Sequence, residues 1–156
     1  MIILGIDPGY GRLGYAVLRS EGGTIVLVEA GCIETSKDDT HAARLSEIAS
    51  RVRALFEEYH PERLVIEQLL FTKNQTTGLA VAEARGVVLA VAGAFGCDVR
   101  EVGPMQVKLA VTGYGHAEKS QVQEMVKHLL HLDDIPKPDD AADACAIAIC
   151  GAQKLA

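Results

Sequence analysis

The sequence predicts an α/β fold, a mixed five-stranded sheet flanked by helices. Three apolar-rich stretches separated by glycine-bearing turns precede any helical periodicity, the pattern of an antiparallel opening. Two later short apolar runs each follow a long helical stripe, as parallel strands joined by crossovers require. The last third of the chain carries only helical spacing.

Taken in order, Ile2 to Asp7 reads as a strand. Gly9, Gly11 and Gly14 supply turn flexibility before a second strand, Tyr15 to Arg19, and Gly22-Gly23 is a hairpin signal ahead of a third, Ile25 to Ile33. Thr40 caps a helix whose apolar residues Leu45, Ile48, Val52, Leu55, Phe56 and Tyr59 recur at three- and four-residue steps, and Pro61 marks its end. Leu64 to Glu67 is a short strand, expected to run parallel to the first. From Thr77 to Phe95 the chain is a nearly all-apolar helix. Gly78, Gly86 and Gly93 permit close approach of another backbone there, and the helix is expected to be buried by the sheet or by a partner subunit. Val99 and Val102 mark a fifth strand and Met105 to Val111 a short helix. After the turn Gly113-Tyr114-Gly115, the residues Val122, Met125, Val126 and Leu129 stripe another helix, and Asp140 to about Lys154 forms the last. The order β-β-β-α-β-α-β-α-α-α matches the ribonuclease H-like architecture.

A chain of 156 residues, 49% hydrophobic, builds one sizeable core, so 1–156 is read as a single domain. The apolar run at the amino terminus is too short for a signal-peptide core and lacks basic flanks. No stretch approaches membrane-spanning length without polar interruption, and a soluble, cytoplasmic protein is expected. Cys32, Cys97, Cys145 and Cys150 lie in apolar surroundings without C-x-x-C spacing, which fits reduced thiols and argues against a zinc site or redox pair. The net charge of −6 weighs against polyphosphate binding, yet the acidic excess lies outside Gln68 to Leu130, where basic residues slightly outnumber acids.

Some of those acids are better explained as metal ligands. Strand alternation sets Ile2, Leu4 and Ile6 on one face and Ile3, Gly5 and Asp7 on the other, so Asp7 ends an otherwise apolar strand. Glu67 holds the same place on its strand. If the two strands are adjacent and parallel, both acids meet at the carboxyl ends, where open α/β sheets bind ligands. Asp140 and Asp143, three apart on the first turn of the last helix, project to one side, and Ala141, Ala142 and Ala144 leave room for close packing. Four converging acids with no obvious cation among them repel one another. Divalent metal is the natural counter-charge, and hard oxygen ligands suit Mg²⁺ or Mn²⁺. Two ions about 3.5–4 Å apart are suited to phosphodiester cleavage.

At these residues the sequence resembles the RuvC family of Holliday junction resolvases. The likeness rests on G-I-D-P-G (Gly5 to Gly9), I-E-Q (Ile66 to Gln68), K-N (Lys73-Asn74) and A-R-G-V (Ala84 to Val87), followed by Q-V-K (Gln106 to Lys108), A-E-K-S-Q-V-Q (Ala117 to Gln123) and D-A-A-D-A (Asp140 to Ala144). It covers nearly the whole chain. The resemblance implies a homodimeric, metal-dependent endonuclease that cuts opposed strands of a four-way DNA junction and works with branch-migration proteins. Asp7, Glu67, Asp140 and Asp143 match the family's catalytic positions, and Lys108 and Lys119 its basic positions near the scissile phosphate. Arg12, Lys73, His116 and Lys127 are candidates for more distant backbone contacts. Phe71 is a candidate wedge at the junction centre, although many relatives carry the aromatic one position earlier, at Leu70 here. Asp139 competes with Asp140 for its role, and the D-A-A-D spacing selects Asp140. The Ala/Gly-rich helix around Gly86 is the candidate dimer interface.

Competing readings fare worse. Actin-like ATPases and sugar kinases share a G-I-D-x-G turn but need two domains and a second phosphate loop. Ribonuclease H-like nucleases of ribosomal RNA maturation are not expected to carry E-K-S-Q-V-Q or Q-V-K, and a binding module with decayed ligands is at odds with all four acids being present.

Overall fold

The computed structural model describes residues 1–69 and 75–153. Strand β1 (Ile2–Asp7) is followed by β2 (Arg12–Glu21), β3 (Thr24–Glu34) and helix α1 (His41–Tyr59). Then come β4 (Arg63–Glu67), α2 (Gln75–Ala94), β5 (Asp98–Val102), α3 (Pro104–Thr112), α4 (Lys119–Leu129) and α5 (Asp139–Ala152). The sheet order is β3-β2-β1-β4-β5. The first three strands are mutually antiparallel, whereas β4 runs parallel to β1 and β5 parallel to β4. This is the mixed sheet expected of the ribonuclease H-like fold.

Strand β2 is longer than its apolar core suggests, because antiparallel pairing continues with β3 from Arg12↔Glu34 to Glu21↔Thr24. Gly22 and Gly23 close that hairpin, both with positive φ (58° and 86°), which a type I′ turn demands and glycine adopts without strain. Thr40 caps α1 as expected, its Oγ1 accepting from the Ala43 N–H at 3.2 Å.

Alternation along β1 divides the core. Leu4 and Ile6 face α1 and α2, packing with Ile48, Val52, Phe56 and Val88. Ile3 faces the opposite layer, with Ala144, Cys145 and Ala148 of α5. Gly5 shares that face, where an added Cβ would lie 2.4 Å from the Ala144 carbonyl oxygen; at Gly14 it would lie 2.1 Å from that of Asp140. These two glycines let α5 settle directly on β1 and β2.

Helix α2 buries one face on the sheet and turns its glycines away from it. Ala84, Val88, Val91 and Ala92 are buried against the sheet, but a Cβ at Gly78, Gly86 or Gly93 would meet nothing within 4 Å. The 3.6-residue period puts Gly86 and Gly93 on the opposite, outward face, and the three glycines are exposed among the described residues. Cys145 and Cys150 are buried, Cys32 and Cys97 half-buried, and all four are free thiols. Among the described residues no helix is long and apolar enough to cross a membrane.

Candidate active site

The parallel ladder between β1 and β4 ends at Ile6↔Ile66, so Asp7 and Glu67 follow side by side at the carboxyl ends of the two central strands. Gly14 lies opposite Asp7 on β2, and the backbone of Asp140 sits over it. The first turn of α5 is thereby held above the strand ends. Asp7, Glu67 and Asp143 line a cavity of about 310 Å³ with Lys108 of α3 and Lys119 of α4, walled by Pro104, Val107, Val122 and Ile147.

The charge balance explains what this cavity can hold. Asp7 is pushed up to about 7 from its ordinary 3.8, first by burial and then by Asp143, Glu67 and Asp140, while Lys119 pulls it down. Glu67 is raised too, by burial and then by Asp143. Cations are nevertheless present, and here the structure corrects the expectation of acids with none among them. Lys119 Nζ donates to Asp143 Oδ2 at 2.8 Å and lies 3.6 Å from Asp139. Arg12 Nε donates to Asp140 Oδ2 at 3.0 Å and its Nη1 lies 3.6 Å from Glu34. Arg12 therefore belongs to the rim of the carboxylate cluster. Sequence could not pair these groups, which are 24 and 128 residues apart.

Asp140 is the better-placed of the adjacent pair. Its side chain is 28% exposed against 74% for Asp139, and Asp140 is the one whose charge reaches Asp7. Among the described residues no three His, Cys, Asp or Glu side chains close into a ready-made metal cage. The donor set still fits a hard divalent cation. It consists of carboxylate oxygens, and Asp7 and Glu67 are held at raised pKa first by burial and then by neighbouring carboxylates, a repulsion that a cation among them would relieve.

Other predicted positions fall at different distances from the cavity. Lys108 lines it and makes no ion pair among the described residues. His116 is exposed, its ring 5.8 Å from that of Tyr114, and it does not line the cavity. Lys127, in the last turn of α4, borders a separate depression with Glu124, Asp134 and Lys137. Leu70, Phe71 and Lys73 lie outside the described residues. Two glutamines of the sequence motifs acquire a different role. Gln106 Oε1 accepts from the Gly103 N–H and Gln121 Oε1 from the Glu118 N–H, each at 2.8 Å, capping the helices that carry Lys108 and Lys119. A glutamine three residues after a helix start was the signal available for this.

The profile of the family described as "Crossover junction endodeoxyribonuclease RuvC" matches residues 3–151. The chain belongs to this family. A crossover junction endodeoxyribonuclease RuvC from Alkaliphilus metalliredigens (strain QYMF) is 48% identical over 152 residues, covering 97% of this chain and 93% of that relative. The solved structure of Thermus thermophilus RuvC superposes with a TM-score of 0.90 at 36% identity, covering 96% of this chain and 92% of that one. T. thermophilus RuvC in complex with Holliday junction substrate matches with a TM-score of 0.88 at 33% identity, with the same coverage. The ribonuclease H-like assignment and the family resemblance in the sequence both hold.

Proposed function

We propose that this chain is a structure-selective endonuclease that resolves four-way (Holliday) DNA junctions in recombination and repair, by metal-dependent, symmetric phosphodiester cleavage. The observation that carries the reading is the placement of Asp7 and Glu67 together at the ends of two parallel strands, beneath Asp143 and beside two lysines, in a chain of the RuvC family.

Asp7, Glu67, Asp140 and Asp143 would hold Mg²⁺ or Mn²⁺, with room in the donor set for two ions. When bound, such ions supply a nucleophilic water and stabilise the leaving oxygen. The chain's own residues do the rest. Burial of Asp7 and Glu67 keeps the carboxylates out of bulk solvent, so their attraction for a cation is weakly screened. Arg12 orients Asp140, and Gly14 allows the backbone of Asp140 to stand over β2. Lys108, which makes no ion pair among the described residues, presents its ammonium to the cavity, where it binds the scissile phosphate. Lys119, which donates to Asp143 at the cavity wall, would offer its ammonium to the same phosphate.

Opposed strands of a symmetric junction call for two such sites, hence a homodimer, and the outward face of α2 around Gly86 supports the choice of interface, since it leaves small residues free for a second backbone. Arg12, His116 and Lys127, with Lys73, extend the backbone contacts, and Leu70 or Phe71 supplies the wedge. The protein acts as a single cytoplasmic domain alongside a branch-migration complex.

The test is an end-labelled synthetic four-way junction against a matched linear duplex, with Mg²⁺, Mn²⁺ or chelator, and Asp143→Asn as control. Symmetric, ligatable nicks in the junction alone are expected, lost with chelator and with the substitution by on the order of 10³-fold, roughly 4 kcal/mol of barrier. Binding without cleavage in either metal would overturn the reading in favour of a junction-binding module.

A further inference from the structure

Helix α2 carries two charged residues, Glu83 and Arg85, and the Arg85 side chain is turned inward, 15% exposed. Its Nε donates to the carbonyl oxygen of Glu67 at 3.2 Å and its Nη2 reaches Glu101 Oε2 at 2.5 Å. The position of that carbonyl gives the contact its significance. Glu67 is the last residue of β4, the ladder to β1 has already ended at Ile6↔Ile66, and the next amide, Gln68 N–H, is engaged by the Val102 carbonyl at 2.9 Å. Glu67 still pairs with Val102 of β5 through the Gln68 amide, but on the β1 side its carbonyl lies beyond the last pair, and Arg85 donates to it. Glu101 is fixed in β5 opposite Ile66, so the guanidinium bridges the end of β4 to the neighbouring strand through a rigid planar fork.

We propose that Arg85 is a positioning residue for Glu67, holding the peptide from which the Glu67 side chain springs and so directing its carboxylate beside Asp7 and beneath Asp143. The inference rests on the reading of Glu67 as a metal-holding carboxylate. Arg85 is inward-facing, with Nε engaged by the Glu67 carbonyl and Nη2 by Glu101, so it acts on the site without touching DNA. Partners that orient a ligand typically contribute about 10- to 100-fold in metal affinity or activity, and a displaced carboxylate costs turnover in the same range.

The experiment compares the full-length parent with Arg85→Gln, Arg85→Lys and Glu101→Gln in three measurements: Mn²⁺ affinity by electron paramagnetic resonance, single-turnover junction cleavage in Mn²⁺, and junction affinity in chelator. Arg85→Gln is expected to lose about 10- to 100-fold in both Mn²⁺ affinity and cleavage rate, with junction affinity unchanged, and Arg85→Lys to recover part of each. Glu101→Gln, which leaves the contact to the Glu67 carbonyl, is expected to lose less in the same two quantities. Unchanged Mn²⁺ affinity and rate in Arg85→Gln would overturn the proposal, as would a loss confined to junction affinity, which marks a DNA contact. If Arg85→Gln does not fold, Glu101→Gln decides: a weakened Mn²⁺ affinity upholds the proposal and an unchanged one overturns it. A parent that cuts no junction defeats the functional reading, and the Mn²⁺ measurement still decides the role of Arg85.

Discussion

The two faces of the sheet are packed by different means. Towards α1 and α2, Leu4, Ile6, Leu13 and Ile66 meet Ile48, Val52, Phe56 and Val88, large side chains on both sides. Tyr15 and Tyr59 there add a polar tie, both donating to Glu29. Towards α5, Gly5, Gly14 and Ala16 meet Asp140, Ala144 and Ala148, and backbone approaches backbone. Both faces bury apolar area, the second through Leu18, Val65, Ile147 and Ile149, but only the second also brings a helix close enough for short acidic side chains to reach the strand ends. An aspartate has little reach, so a site assembled from Asp7, Asp140 and Asp143 needs the thin face.

This contrast is broken most severely at Gly14. A Cβ there would lie 2.1 Å from the Asp140 carbonyl oxygen, so Gly14→Val is expected to destabilise by about 3 kcal/mol, lower Tm by roughly 6–12 °C and abolish junction cleavage together with the placement of Asp140. Thermal unfolding and the cleavage assay check both. A Gly14→Val variant with parental Tm would show that the close approach of α5 is dispensable.

A smaller effect sharpens the electrostatic side. Because Asp7 is raised to about 7 from 3.8, the folded state binds more protons than the unfolded one between these values, and stability in metal-free buffer falls as pH rises through that window. Asp7→Asn removes this penalty. It is expected to be more stable than the parent by about 2 kcal/mol at pH 8, to lose that advantage near pH 4, and to be inactive at both. Denaturant melts in chelator at the two pH values measure it; a parent whose stability did not fall over the window would refute the burial of Asp7 among like charges.

The smallest effect separates α2 from α5. Where a Cβ at Gly86 meets nothing, Gly86→Ala is expected to raise monomer stability by about 0.5–1 kcal/mol through helix propensity. Gly86→Leu is expected to shift the sedimentation profile toward monomer if this face joins two copies. A loss of stability in Gly86→Ala would mean the glycine is packed after all.

Much of this architecture was legible along the chain. Alternation in β1 placed Asp7 on the face opposite Leu4 and Ile6, the D-A-A-D spacing placed Asp140 and Asp143 on one turn, and Thr40 marked the start of α1, because period and capping are local properties of sequence. Which face the glycines of α2 occupy was not legible, since a glycine's meaning depends on what stands opposite it. Gln106 and Gln121 read as family motif residues, and their structural work as helix caps emerged only from the contacts they make.

The sequence by itself determined the elements, their order, the chemistry of a carboxylate site and the family. Only the tertiary structure decided that Lys119 lies on Asp143, that Arg12 lies on Asp140 and that Arg85 holds the peptide of Glu67. The physical reason is range. Hydrophobic period and turn chemistry act between residues a few positions apart, whereas ion pairs and strand-end contacts join groups that meet only after the sheet has brought distant segments together.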